Sequence, residues 1–360
     1  MGMIRDTFNG AYNGKTVLVT GHTGFKGSWL SIWLNELGAN VIGYALDPLT
    51  SCDNFVLSKL SNKMVDVRGD VRDIEQLENT FRQYKPEFVF HLAAQPLVRN
   101  SYENPRETSE VNIMGTLNVL EAVRKNDSVC SVVVITTDKC YENKEQIYGY
   151  REIDPLGGYD PYSTSKACAE LLVSSYRSSF MNPECYSTHH KVISSARAGN
   201  VIGGGDWSRD RIVPDCIKAL VEGRTIEVRN PCSIRPWQHV LEALGGYLLL
   251  ASKMYNRGTA YGGAWNFGPD FDSIAQVKDI VEVIINKWGS GNWVDVSGSK
   301  DLHEANLLSL DCTKAKRHLE WKPKLNIIKA VEYTVEWYKN YLCCDTYKLC
   351  RDQILEYIEG

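Results

Sequence analysis

The sequence has no CxxC pair, and its eleven cysteines are odd in number and scattered, only Cys343 and Cys344 being adjacent. Neither a disulfide framework nor a zinc site can be read from that pattern, and reduced thiols are the economical reading. No stretch reaches the roughly 18 consecutive apolar residues that a membrane span needs. Met1 to Lys15 is polar and carries Arg5, Asp6 and Lys15 where a signal peptide would need an apolar run. A soluble, cytoplasmic chain with no membrane partner is therefore expected. A charge excess is also lacking: 40 Lys and Arg against 44 Asp and Glu leave a net charge of −4. That balance is too even for the broad basic footprint of sequence-independent nucleic-acid binding, so no nucleic-acid partner is expected. The seven histidines are dispersed, and His189-His190 has no carboxylate or cysteine at ligand spacing, so no metal site is expected. What is present is ordinary globular composition, 43% hydrophobic and 23% charged over 360 residues, which suffices for a sizeable core and about two domains.

Lys15-Thr-Val-Leu-Val-Thr20 is a short β-branched apolar run bounded by a glycine-rich turn and reads as a buried strand. A helix follows, with Leu30, Trp33, Leu34 and Leu37 on one face and Gly38 at the C′ position. Trp29 and Trp33 read as helix packing rather than ligand platforms. Further strand-like runs, Asn40–Ala45, Met64–Val67, Phe88–Leu92 and Val132–Thr136, are separated by helix-length segments such as Ile74–Tyr84 and Ile113–Arg124. Strands alternating with helices predict an α/β, doubly wound parallel sheet of Rossmann type, with ligands at the strands' carboxyl ends. After about Gly199 the alternation breaks. Ala264–Phe267 reads as a strand returning to the sheet, whereas Ile226–Arg235 and the region after Asp270 read as a smaller C-terminal α/β lobe for substrate. The expected division is residues 12–199 plus about 236–268 for the dinucleotide domain, 200–235 plus about 269–345 for the lobe, and a tail at 346–360.

Gly21-His-Thr-Gly24-Phe-Lys-Gly27 lies between the first strand and the first helix. Glycines so spaced permit a tight turn and close approach of backbone to a pyrophosphate at the helix N-terminus, which points to a bound dinucleotide. Asp47, some twenty residues on, is placed to accept hydrogen bonds from a ribose diol, favouring NAD over NADP; a turn or capping Asp before Pro48 is the alternative. Asp70 reads either as a contact to the adenine amino group or as an ordinary helix cap. Tyr162 and Lys166 are four apart on a helix starting near Pro161 and share one face. A lysine ammonium beside a phenol favours the phenolate, lowering a pKa that starts near ~10, and Thr137, at the end of the preceding strand, offers a hydroxyl partner.

The glycine pattern with Thr137, Tyr162 and Lys166 resembles the extended short-chain dehydrogenase/reductase family over most of the chain, from Lys15 to about Leu342. Thr137-Asp138-Lys139 is similar to the Thr-Asp-Glu of nucleotide-sugar 4,6-dehydratases, with Lys in place of Glu. That departure, together with Gly21–Leu30, His91–Val98, Glu110–Gly115, Ala196–Trp207, Ile234–Val240 and Trp265–Pro269, resembles the CDP-glucose 4,6-dehydratase branch. The resemblance implies that Tyr162, with Lys166 and Thr137, takes the C4 hydroxyl proton as the C4 hydride moves to a tightly bound NAD. It implies further that Asp138 protonates the departing C6 oxygen while Lys139 removes the C5 proton. For Lys139 a solvated loop lysine or an ion-pair partner of Asp138 is the alternative.

The cofactor-lining set implied is Gly21, Thr23, Gly24, Phe25, Lys26, Gly27, Asp47, Asp70, Val71, Leu92, Ala93, Ala94, Gln95, Tyr162 and Lys166. For Lys26 an exposed helix-start lysine is the bland alternative. The substrate-side set is Asn112, expected also to brace the helix that carries Lys166, with Arg197, Asn200, Arg229 and Arg235. Arg235 is the best candidate for a diphosphate clamp, and a surface ion pair is the alternative for each arginine. The resemblance also implies a homodimer or homotetramer paired through helices around Ile113–Arg124 and Tyr162–Phe180. Rival readings are a C4 epimerase or decarboxylase of a nucleotide sugar on the same fold, and a non-catalytic NAD-binding regulator.

Overall fold

The computed structural model describes residues 2–270, 273–298 and 307–360. Seven strands form one parallel sheet in the order β11-β6-β5-β4-β1-β2-β3. They are β1 (Thr16–Thr20), β2 (Asn40–Ala45), β3 (Val65–Arg68), β4 (Phe88–His91), β5 (Ser131–Ile135), β6 (Val192–Arg197) and β11 (Gly263–Asn266). β-Branched residues fit a pleated surface buried on both faces, and alternate side chains serve opposite cores. Val17, Val19, Val133 and Ile135 face one core, whereas Leu18, Val89, Val132 and Val134 face the other.

Helices of ten or more residues are α1 (Phe25–Glu36), α2 (Ile74–Tyr84), α3 (Gly115–Arg124), α4 (Pro161–Ser179), α5 (Ile212–Val221), α6 (Val240–Arg257), α7 (Val277–Trp288), α8 (Ile327–Asn340) and α9 (Thr346–Glu359). Helices α2, α3 and α4 cover one face of the sheet and α1 and α6 the other. Trp29 and Trp33 of α1 are fully buried, and the Trp29 indole donates to the Gly204 carbonyl at 2.9 Å. Gly38 ends α1 at φ +83°, in the left-handed region that glycine tolerates.

The apolar runs anticipate six of the seven strands and leave out β6. Its Ser195 and Arg197 on one face and Ser194 on the other interrupt the apolar run, yet all three are buried and bonded within the protein. β11 returns to pair with β6 as the sheet's edge. Outside the sheet, three short pairs build the rest: β7 (Val201–Ile202) with β10 (Gln238–His239), β9 (Ile234–Pro236) with β12 (Ile274–Gln276), and β8 (Ile226–Val228) with β13 (Trp293–Asp295). Residues 346–360, read from sequence as a tail, contain a docked helix: from α9, Tyr347 donates to Glu36 of α1 at 2.8 Å and Tyr357 to Glu242 of α6 at 2.9 Å. Among the described residues no helix is long and apolar enough to cross a membrane.

Candidate active site

β1 hands over to α1 through the glycine turn. Gly21 sits at φ +76°, and a Cβ there would lie 2.7 Å from the Ala93 amide nitrogen; one on Gly27 would lie 2.1 Å from the Gly21 carbonyl oxygen. Both positions are therefore closed to larger residues, and the turn is pressed against the loop that follows β4. Gly24 is the N-cap of α1 and contributes no side-chain cap, so the first-turn amides face the strands' carboxyl ends without a side-chain partner. This cradle fits a dinucleotide pyrophosphate. Lys26 stands in the first turn; burial, with Arg211 and Lys166 nearby, pushes its ammonium down to about 8. Thr23 donates to the Leu46 carbonyl at 3.1 Å, and the Phe25 ring packs over Gly203.

Asp47 follows β2 with its side chain 87% exposed and Arg68 Nε 3.6 Å away, so its carboxylate lies at the surface beyond the strand end. Asp70 is held by Arg72 through contacts of 2.6 to 3.1 Å, which keep its carboxyl below the usual range. The Val71 side chain is buried in the core against Gly115, which leaves its backbone as the part that could line a cofactor. After β4 come Leu92, Ala93, Ala94 and Gln95; the Ala93 amide donates to Thr20 at 3.2 Å. Gln95 turns its amide to Thr108 and Leu97.

The strand β5 ends at the chemistry. Thr137 caps the short turn Asp138–Cys140 and donates to Asp138 Oδ1 at 2.9 Å; Asn200, at φ +49°, donates to Asp138 Oδ2 at 3.3 Å. Asp138 is 1% exposed, and a Cβ on Gly199 would lie 1.9 Å from Asp138 Oδ2, so the glycine makes room for the carboxyl. Lys139 is half-buried, and its backbone amide caps onto Thr137. It makes no ion pair with Asp138, whose oxygens take Thr137 and Asn200.

Helix α4 begins at Pro161, its N-terminus capped by Asp160 accepting from the Ser163 amide at 2.9 Å. The cap orients the first turn so that Tyr162 and Lys166 face β5, with Lys166 Nζ donating to the Ile135 carbonyl at 3.3 Å. The phenol departs from the sequence expectation. Burial raises Tyr162 to about 12, while its hydrogen bond with Thr137 and the charge of Arg211 act in the opposite direction. Burial also pushes the Lys166 ammonium down to about 8. Desolvation opposes both charged forms, and in the protein it outweighs the help the lysine was expected to give.

Two of the expected substrate contacts are structural. Arg197 is 3% exposed and donates to Glu170 Oε2 at 2.7 Å, to the Tyr141 hydroxyl at 2.7 Å and to the Glu152 carbonyl at 3.2 Å. It is a buried ion pair under the sheet's edge rather than a group facing substrate. Asn112 is 1% exposed and spends its amide on both backbone groups of Gln95 and on Ser165 at 2.9 Å. It therefore braces α4, as expected, and has no end turned to substrate. Arg229 pairs with Asp210 at 2.7 Å, and Arg235, half-buried on β9, donates to the Ile234 carbonyl at 2.9 Å.

Sequence reasoning missed Arg211 and Glu170. Arg211, at the start of α5, binds the buried Asp206 at 2.8 Å and is an electrostatic neighbour of both Tyr162 and Lys26. Nothing in its local sequence distinguishes it from Arg209. Glu170 did carry a signal, since it continues the four-residue spacing of Tyr162 and Lys166. Together Thr137, Asp138, Asn200, Tyr162 and Lys166, with Lys26 and Arg211 as cations beside them, form a site with a buried acid, a buried phenol and surplus positive charge. Such a set can accept a hydroxyl proton, deliver a proton to a leaving oxygen and hold an anionic substrate.

Compared with known proteins, the chain matches the GDP-mannose 4,6 dehydratase family over residues 18–334. It is 47% identical over 351 residues to the CDP-glucose 4,6-dehydratase of Salmonella typhimurium strain LT2, covering 97% of this chain and 98% of that protein. Its fold is shared with an epimerase from Methanothermobacter thermautotrophicus, at a TM-score of 0.79 and 26% identity over 97% of this chain and 98% of that one. A UDP-glucose 4-epimerase from Thermus thermophilus, solved in complex with NAD, superposes at a TM-score of 0.74 and 25% identity over 90% of this chain and 99% of that one.

Proposed function

The chain belongs to the GDP-mannose 4,6 dehydratase family, and from that premise we propose that it dehydrates CDP-D-glucose to CDP-4-dehydro-6-deoxy-D-glucose. The observation that carries this reading is the buried acid Asp138, set one residue from Thr137 and sharing that hydroxyl with Tyr162. The 47% identity to a CDP-glucose 4,6-dehydratase over nearly the whole length supports the substrate. A simple C4 epimerisation needs the phenol and the lysine and leaves the buried carboxyl without work.

Tyr162 accepts the C4 hydroxyl proton. A phenol near 12 is almost wholly protonated at neutral pH, so it first gives up its own proton to solvent, and the small phenolate fraction takes the C4 hydroxyl proton as the hydride departs. Thr137 and Arg211 favour the transient negative charge, and Lys166 fixes the helix against β5 through Ile135. When bound, NAD supplies the hydride acceptor at C4, the hydride donor at C6 and one further positive charge. The Gly21–Gly27 turn and Lys26 would hold its pyrophosphate. With the C4 carbonyl formed, the C5 proton is acidic; Lys139, reacting as the free amine, removes it while Asp138, reacting as the acid, protonates the leaving C6 oxygen, and the proton on Lys139 returns to C5 as C6 is reduced. Arg235 and Arg229 clamp the diphosphate, with Asn200 beside it.

The product class is a precursor of deoxysugars for surface polysaccharide, O-antigen or lipopolysaccharide, and the enzyme works in the cytoplasm with all eleven thiols free. A homodimer or homotetramer is supported by Met114 just before α3, Leu171 on α4 and Phe180 just after it, large apolar side chains 48 to 58% exposed. Incubation with CDP-, UDP-, GDP- and dTDP-glucose tests the reading. A 4-keto-6-deoxy product from CDP-glucose is expected; turnover confined to another nucleotide, or a C4 epimer that keeps its C6 hydroxyl, would overturn it.

A further inference from the structure

The buried polar stripe of α4 runs one turn beyond Lys166. Tyr162, Lys166 and Glu170 lie four residues apart and are 8, 6 and 3% exposed. Three consecutive residues at the end of β5 meet all three. Thr137 partners the Tyr162 phenol, the Ile135 carbonyl accepts from Lys166 Nζ, and the Thr136 hydroxyl donates to Glu170 Oε1. From β6, Ser195 Oγ and Arg197 Nη2 donate to Glu170 Oε2 at 2.6 and 2.7 Å. One carboxylate thus collects three donors from two adjacent strands. A charge out of water persists only with such compensation, and a satisfied buried network fixes geometry.

We propose that Glu170 is the positioning residue of the Tyr162–Lys166 pair: its carboxylate locks α4 in step with the end of β5 and keeps the Lys166 ammonium charged beneath the site. The kinetic side of this role rests on the proposed C4 oxidation; the electrostatic side does not. Six groups surround Lys166. Tyr162 and Glu170 share its helix, Cys140 comes from the turn after β5, His91 from β4, Lys26 from α1, and Arg197 reaches it through Glu170. His91 is buried and held neutral at about 3, and the Cys140 thiol is held protonated by burial. Glu170 is therefore the one carboxylate among the six, paired with Arg197.

The test is a side-chain NMR titration of Lys166 in the full-length protein without substrate, using carbon-labelled lysine and assigned by the resonance lost in K166R. Removing Glu170 favours neutral lysine, so in E170Q the ammonium should titrate at a pH lower by about one unit or more. Removing Arg197 leaves the Glu170 charge unneutralised, so R197Q should shift it upward. E170Q/R197Q relieves the stranded arginine, keeping the measurement possible if E170Q folds poorly, and should again titrate lower than wild type. Opposite shifts in the two single variants establish the role. Shifts of one sign, or an unmoved Lys166 in both E170Q and the double variant, overturn it. The alkaline limb of C4 oxidation should follow the same order. Wild-type protein inactive on CDP-glucose would count against the functional reading and leave the titration as the judge of Glu170.

Discussion

On the floor of the site, Thr137, Asp138, Lys166 and Glu170 are at most 6% exposed, and their partners lie at one junction of β5, β6 and α4. On the rim, the side chain of Arg229 is 34% exposed and pairs with Asp210, itself 43% exposed, in the loop between β7 and α5. Below, desolvation decides which groups carry charge; above, water and counter-ions are within reach, and exposed pairs are worth little by themselves. Floor residues should therefore govern chemistry and its pH dependence, and rim residues affinity and its salt dependence.

The largest effect expected is on the floor. Y162F should lower the rate of C4 oxidation by about 10²–10⁴-fold while cofactor binding, followed by fluorescence quenching, stays within a few-fold of wild type; a matching loss of cofactor would mean that the phenol holds the site together rather than moving a proton. The next separates two arginines that look alike in sequence. R197Q strands a buried carboxylate and should cost about 3–5 kcal/mol in urea unfolding, whereas R235Q should leave stability nearly unchanged and weaken substrate by about tenfold or more, the worth of a charge-assisted hydrogen bond. Exchanged results would erase the distinction between floor and rim. The smallest effect concerns Lys26. Its charge is fully present below about pH 8 and is lost above it, so cofactor affinity should weaken several-fold as pH rises through that value, and K26M should flatten the dependence.

Local patterns were legible where one element does the work. The glycine turn, the four-residue spacing of Tyr162 and Lys166, and six of seven strands depend on near neighbours in the chain. Arg197 was misread because its partners, Tyr141, Glu152 and Glu170, come from distant segments, and an arginine on a strand carries no mark of whether it faces a cleft or a carboxylate. β6 was missed for the same reason: Ser194, Ser195 and Arg197 look like a surface until their partners are known. Tyr162 shows a different limit. Spacing puts the lysine and the phenol on one face of a helix, but burial, a property of the whole fold, reverses the expected direction of the phenol's pKa.

The account centres on a division of labour between Tyr162 and Asp138, and D138N tests it most directly. In a single turnover with CDP-glucose, D138N should still build up reduced nicotinamide, read by its near-ultraviolet absorbance, and retain a 4-keto sugar with its C6 hydroxyl in place. Simultaneous loss of nicotinamide reduction and of water elimination, in a variant that still binds cofactor, would contradict it.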